Sequence, residues 1–329
     1  MFNKKLIKIT QQIVKGEECK NLYEKAWEIA TLDREYTFDL LICANKIREK
    51  FKNSRVFTCS IINAKSGSCS QDCAFCAQSS FHKTGVKKYP LMKKDEMVDL
   101  AVKMHNAGAT RFSIVTSGLR LSGKEIETIC LAAEKIKHLT NLSLCASIGM
   151  INESDAKKLL ESGISRYHHN LETSESFFDH ICTTHDYKED ISAVQSAAAA
   201  GLKVCSGGIM GLGESWKQRV ELACTLRDLD VDSIPINFLN PVAGTKMEGR
   251  PLLSPMDALK CIAMFRLVNP KKDITVCGGR EAALKDFQSW LFFAGANGLM
   301  AGNYLTTMGR DTKMDMAMLK DMGLYNENR

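Results

Sequence analysis

From Val56 onward the chain alternates between two kinds of segment. Short apolar runs of strand length occur at Val56–Ala64, Thr110–Thr116, Leu142–Ile148, Arg166–Leu171, Lys203–Ile209, Ser233–Leu239, Asp273–Gly278 and Gly298–Tyr304. Between them lie amphipathic stretches that read as helices: Asp95–Ala107, Lys124–His138, Ser154–Glu161, Asp190–Ala200, Glu214–Leu229, Met256–Val268 and Ala282–Phe293. Glycine closes several of them (Gly108, Gly163, Gly201, Gly295), and Ser254-Pro255 supplies a cap and a first-turn proline. Strands separated by helices pair in parallel, and eight such units close into a TIM-type (β/α)8 barrel. The competing architecture is a doubly wound open sheet. No G-x-G-x-x-G opens a helix after the first run, which speaks against its dinucleotide-binding version. Residues 1–55 carry apolar residues at helical spacing in Lys20–Arg34 and Phe38–Phe51, and Cys19 and Cys43 fall there as packing residues. The expected organisation is an N-terminal helical extension over 1–55, the barrel over 56–310 and a helical tail over 311–329, with no linker marking a further domain.

The loop after the first run carries the most chemistry. Cys69, Cys73 and Cys76 stand at C-x3-C-x2-C spacing. Thiolates hold iron–sulfur clusters. A four-iron cluster held by three thiolates keeps one iron open to a further ligand, which suits catalysis better than electron carriage. A structural zinc site closes with four ligands in paired units. The nearest candidates for a fourth, His82 and Cys59, lie at no usual zinc-finger spacing. In a (β/α)8 barrel this loop opens on the C-terminal face, where catalytic groups of the architecture sit.

Composition narrows the setting. The 329 residues include thirteen cysteines and carry a net charge of +6. The N-terminus lacks the continuous apolar core of a signal peptide, and no apolar stretch is long enough to span a bilayer. The expectation is a cytoplasmic protein with reduced cysteines, in which metal binding is favoured over disulfides. The lysines are scattered and no basic run is interleaved with aromatics, so neither nucleic acid nor membrane is expected as a partner.

With Phe75 just before the third cysteine, the Cys69–Cys76 loop resembles the radical S-adenosylmethionine (SAM) superfamily. Further stretches resemble the biotin synthase family within it. They are Tyr167-His168-His169-Asn170-Leu171-Glu172-Thr173, the Lys203–Glu214 segment, Ser233-Ile234-Pro235-Ile236-Asn237, Gly278-Gly279-Arg280-Glu281 and Ala294-Gly295-Ala296-Asn297. The likeness runs from about Phe57 to the C-terminus. It implies insertion of sulfur into unactivated C–H bonds of dethiobiotin, giving biotin. The open iron would bind the amino and carboxylate groups of SAM, and one electron from a flavodoxin- or ferredoxin-type donor would release a 5′-deoxyadenosyl radical. An auxiliary iron–sulfur cluster deeper in the barrel would supply the sulfur. A homodimer is expected. By the same resemblance Cys69, Cys73 and Cys76 hold the 4Fe-4S cluster, and Phe75 and Ile209 flank the adenine. Asn170 and Glu172 contact the ribose, and His185 takes the place of an arginine for the SAM carboxylate. His168, Asn170 and Asn237 face the ureido ring of the substrate.

Two positions depart from the family pattern. Its auxiliary cluster uses cysteines on the second, third and fifth strands and an arginine on the seventh. Cys145 and Cys205 match, but Ser113 and Thr275 stand at the other two positions, and Arg280 does not fill the gap. Cys59 and Cys277 fall instead on the first and seventh runs. Interior residues of such a barrel form layers drawn from alternate strands. Cys59, Cys145, Cys205 and Cys277 are therefore expected as one inward layer holding an auxiliary cluster, with a four-iron type favoured over a two-iron one. Cys130, Cys224 and Cys261 read as core residues on apolar helix faces, and Cys182 has no assigned role. Two other functions fit less well: a radical SAM mutase or lyase acting on another small molecule, and a non-enzymatic iron–sulfur protein.

Overall fold

The computed structural model describes residues 2–17, 21–54 and 56–324; Cys19 and the last five residues of the expected tail lie outside them. Three helices precede the barrel: α1 (Lys4–Lys15), α2 (Leu22–Ala30) and α3 (Thr37–Lys52). Asn3 starts α1 by accepting from the Lys5 and Leu6 amides, and α1 buries Leu6, Ile9 and Ile13. On α3 the buried set includes Leu40, Leu41, Cys43, Ala44 and Ile47, the face expected from spacing.

The strands are β1 (Phe57–Lys65), β2 (Arg111–Thr116), β3 (Ser143–Ser147), β4 (Ile164–His168), β5 (Lys203–Cys205), β6 (Gly208–Met210), β7 (Ser233–Phe238), β8 (Asp273–Val276) and β9 (Gly298–Met300). All pair in parallel, in the order β5-β4-β3-β2-β1-β9-β8-β7-β6, and a β5–β7 pairing closes the ring. The described helices outside it are α4 (Lys94–Asn106), α5 (Gly123–Leu139), α6 (Glu153–Glu161), α7 (Glu175–Phe178), α8 (Tyr187–Ala199), α9 (Trp216–Asp228), α10 (Pro255–Val268), α11 (Arg280–Leu284) and α12 (Trp290–Phe293), followed by α13 (Thr312–Asp321) in the tail. This is the expected (β/α)8 barrel, with its fifth position divided into β5 and β6. The division falls at Ser206-Gly207, where the backbone passes close to β7. A Cβ on Gly207 would stand 2.0 Å from the Pro235 carbonyl oxygen, and one on Gly208 2.4 Å from that of Glu172.

The expected helix Ala282–Phe293 is also broken. Lys285 takes a positive φ of 48°, outside the helical region, and the Gln288 side chain donates to the Arg280 and Lys285 carbonyls that a continuous helix would use. The buried Arg280 guanidinium pairs with Asp315 of α13 and so ties the tail to the barrel.

The apolar core lies outside the strands rather than within the ring. On β1 the residues facing the helices (Thr58, Ser60, Ile62, Ala64) are buried, whereas Phe57, Cys59 and Ile61 are part-exposed to an interior cavity. A (β/α)8 interior is normally filled by branched apolar side chains. Here cysteine, serine, arginine and asparagine take many of those places and leave space between them.

Candidate active site

The cavity has a volume of about 380 Å³ and runs up the barrel axis. Phe75 and Cys76 line it at the C-terminal face, while Cys59, Cys145, Cys205 and Cys277 line it further in. Cys59 lies six residues before the end of β1, or roughly 20 Å of strand.

The cysteine loop is held by its own backbone. The Cys69 amide donates to the Gln78 carbonyl at 3.0 Å, and the Ser80 amide donates back to Cys69 at 2.8 Å. A second tie runs to the 181–185 loop. Asp72 accepts from the Thr183 amide and hydroxyl, both at 2.8 Å, and the Ala74 amide donates to the Ile181 carbonyl at 2.8 Å. Against the opposing effect of burial, these Thr183 bonds hold the Asp72 carboxyl well below the usual carboxylate range. Cys182 enters the same junction, and no periodicity or motif in the sequence marks it. Its Sγ stands 3.8 Å from that of Cys73 and 3.2 Å from His185 Nδ1. The Cys73 contact pulls the Cys182 thiol down to about 4, with help from His185 and Thr184. His185 also pairs with Asp190 at 3.3 Å and with Gln71 at 2.8 Å, and it does not line the cavity. His82 Nδ1 donates to the Cys76 carbonyl, 2.9 Å away, rather than meeting a thiol. Among the described residues no three His, Cys, Asp or Glu side chains are drawn together tightly around one point.

Asn170, Glu172, Ile209, His168 and Asn237 all line the cavity between its mouth and the inner cysteines. Glu172 holds a left-handed backbone at φ 60°, which lets its carbonyl accept from the Ile209 amide at 2.8 Å and joins the end of β4 to β6. Burial pushes its carboxyl up to about 8, with Asp190 adding to the shift. Asn170 donates to Glu172 at 3.3 Å, while its Oδ1 is buried without a partner. Asn237 is fixed on both sides, donating to the Gly208 carbonyl and accepting from the Gly278 amide. Burial lowers the His168 imidazole to about 4, and its Nδ1 lies 3.0 Å from Ser147 Oγ.

The inner cysteines do not form the single layer expected. Strand register carries Cys59 across β2 to Ser143, Cys145 across β4 to Lys203, Cys205 across β7 to Asp273, and Thr275 across β9 to Phe57. Advancing two residues each time gives Cys145, Cys205, Thr275 and Cys59, and four such advances make the shear of eight of this barrel. Thr275 therefore completes the layer of Cys59, Cys145 and Cys205, and Cys277 stands one layer nearer the mouth. The charges of Cys59 and Cys205 act on both Cys145 and Cys277, so the four thiols share one region of the cavity although they span two layers. Burial, with the Cys205 charge adding, pushes Cys59 up to about 12; burial and the neighbouring thiols raise Cys145 and Cys277, and burial raises Cys205. Three cysteines in one layer lining the cavity, with a fourth one layer above, are soft donors of the kind that hold an iron–sulfur group as thiolates. Of the remaining cysteines Cys43 and Cys261 are buried as expected, whereas Cys130 and Cys224 are only half-buried at the edge of the core.

Comparison with known proteins defines the class first. Residues 65–226 match the radical SAM superfamily, and residues 235–325 match the biotin and thiamin synthesis associated domain. In fold the chain is similar to methylornithine synthase (TM-score 0.82, 20% identity, 96% of each chain). It is also similar to an FeFe-hydrogenase maturase from Carboxydothermus hydrogenoformans (TM-score 0.80, 18% identity, 97% of this chain and 78% of that one). In sequence it is 54% identical over 303 residues to the biotin synthase of Syntrophus aciditrophicus, covering 92% of this chain and 93% of that one. It is 50% identical over 320 residues to that of Geotalea daltonii, covering 97% of each. The chain belongs to the biotin synthase family. That membership brings a 4Fe-4S cluster, SAM and an auxiliary cluster, and it does not favour the mutase or lyase alternative. No described helix is long and apolar enough to cross a membrane.

Proposed function

We propose that this chain converts dethiobiotin to biotin, with Cys69, Cys73 and Cys76 as ligands of the SAM cluster and the inner cysteines as ligands of the sulfur-donating one. The observation that carries the reading is that one cavity has Cys76 at its mouth and Cys59, Cys145, Cys205 and Cys277 within. The unpartnered Asn170 Oδ1 lies along the same wall. When bound, the two clusters and SAM supply an open iron, a 5′-deoxyadenosyl radical and the inserted sulfur, with the electron coming from a flavodoxin- or ferredoxin-type donor. The protein's part is to hold and to seal. Phe75 and Ile209 give the adenine two apolar faces, packed on Ala74, Ile181, Leu212, Leu239 and Met247. Asn170 and Glu172 present oxygen acceptors to ribose hydroxyls. Below about pH 8 the Glu172 carboxyl is protonated in the unliganded cavity and can donate as well. Asn237, already locked by backbone contacts, and Asn170 offer amide groups to a ureido ring. His168 is neutral at physiological pH, so it can meet the ring without placing a cation in the cavity. His185 is committed to Asp190 and Cys182, so its part is to brace the cysteine loop from behind.

The test is the full-length chain with Cys69, Cys73 and Cys76 all replaced by Ala. It should fold, as judged by circular dichroism, and release no 5′-deoxyadenosine from SAM. Continued release would remove the loop from the mechanism.

A further inference from the structure

Among the described residues two guanidinium groups line the barrel cavity, and they differ in one respect. Arg111 donates to Asp273 at 2.8 Å and lies over the Phe57 ring at 3.4 Å. Arg166 on β4 has no such anchor. It is 8% exposed, its Nε and Nη1 are buried without hydrogen-bond partners, and no Asp or Glu among the described residues pairs with it. An unpaired buried cation costs free energy, and buried polar groups are rarely left unsatisfied. A fold that keeps one there has an acceptor still to come.

What faces Arg166 is sulfur. It lies in register with Cys145, lines the cavity alongside Cys59 and Cys205, and exerts its charge on all three thiols. Thr275, which completes their layer, brings no charge. We propose that Arg166 is a cofactor-contacting residue, the hydrogen-bond donor and counter-cation to the sulfur atoms of the auxiliary cluster. This rests on the reading that the inner cysteines hold that cluster. A thiolate-ligated cluster is an anion whose sulfurs accept hydrogen bonds, and such contacts raise its reduction potential because reduction adds negative charge. A guanidinium suits the position because it stays charged and can reach two acceptors at once.

The test uses the full-length chain lacking Cys69, Cys73 and Cys76, which isolates the inner site. It is compared with the same chain carrying Arg166→Met or Arg166→Lys. Each is reconstituted anaerobically with iron and sulfide, and the potential is read by an EPR-monitored titration. Arg166→Met should shift the reduction equilibrium at least tenfold toward the oxidised form, about 59 mV more negative for one electron. Arg166→Lys should recover part of that shift. In the apo protein Arg166→Met should unfold at the same or a higher urea concentration than its parent, because it relieves an unpaired charge. An unchanged potential overturns the proposal. So does an apo Met variant that is less stable or fails to fold, since the arginine would then be serving the fold. If the parent with Arg166 intact assembles no inner cluster, the reading of the inner cysteines fails instead.

Discussion

Asp72 is the hinge pin between the cysteine loop and the 181–185 loop, and its removal should loosen the first without unfolding the barrel. Its carboxylate accepts from the Thr183 amide at 2.8 Å, the Thr183 hydroxyl at 2.8 Å and the Thr184 hydroxyl at 3.3 Å. A hydrogen bond to a charged group contributes about 1.5–3 kcal/mol net. The two threonines are exposed to water, which offsets part of that, so about 3 kcal/mol is expected for all three. At 1.4 kcal/mol per factor of ten, Asp72→Ala should raise the population of the detached loop about 100-fold. The reporter is the Ala74 amide, buried and bonded to the Ile181 carbonyl across the same junction. Its hydrogen exchange should accelerate by that factor in the apo protein, while amides of β2 and β3 keep their protection. Asp72→Asn keeps an oxygen for the Thr183 amide, but puts an NH2 where the Thr183 hydroxyl donates and removes the charge, so its effect should be about tenfold. An Ala74 exchange rate in the Ala variant equal to that of the parent would refute the reasoning, because the junction would then be held by something else.

Glu172→Gln should stabilise the apo protein at high pH only. The folded carboxyl titrates near 8 against 4.5 when exposed, so the unfolded chain ionises first and the parent loses stability as pH rises through that window. The variant escapes the loss, worth about 2 kcal/mol above pH 8 after screening by cavity water, and the two should converge below pH 4.5 in urea denaturation. Gly207→Ala drives a Cβ to 2.0 Å from the Pro235 carbonyl and should cost about 3 kcal/mol, since backbone on both sides blocks relief. Parental stability of that variant would mean that β5 and β7 approach less closely.

The alternation of apolar runs and amphipathic helices was enough to read the barrel, because each run is a strand whose outward side chains pack beneath helices. What it could not carry was anything decided between strands. The break at Ser206-Gly207 arises from contact with Pro235, a residue distant in the chain. The level of Cys277 depends on register, and a strand-by-strand reading places it with Cys59 although it stands two residues beyond Thr275. The run Ala282–Phe293 has helical periodicity, yet the Gln288 side chain competes for its carbonyls and splits it. Within the site the loop cysteines were legible from spacing alone. Cys182 and Arg166 were not, because one sits in an irregular loop and the other reads as an ordinary strand residue until the lack of a partner is seen.

Turnover with deuterated dethiobiotin tests the central claim most directly. Protein reconstituted with iron and isotopically labelled sulfide would be reduced anaerobically, given SAM and dethiobiotin deuterated at the carbons that receive sulfur, and its products weighed by mass spectrometry. Deuterium in 5′-deoxyadenosine together with labelled sulfur in biotin is the expected result. SAM cleavage that leaves no deuterium in 5′-deoxyadenosine, in a sample with both sites filled, would contradict it.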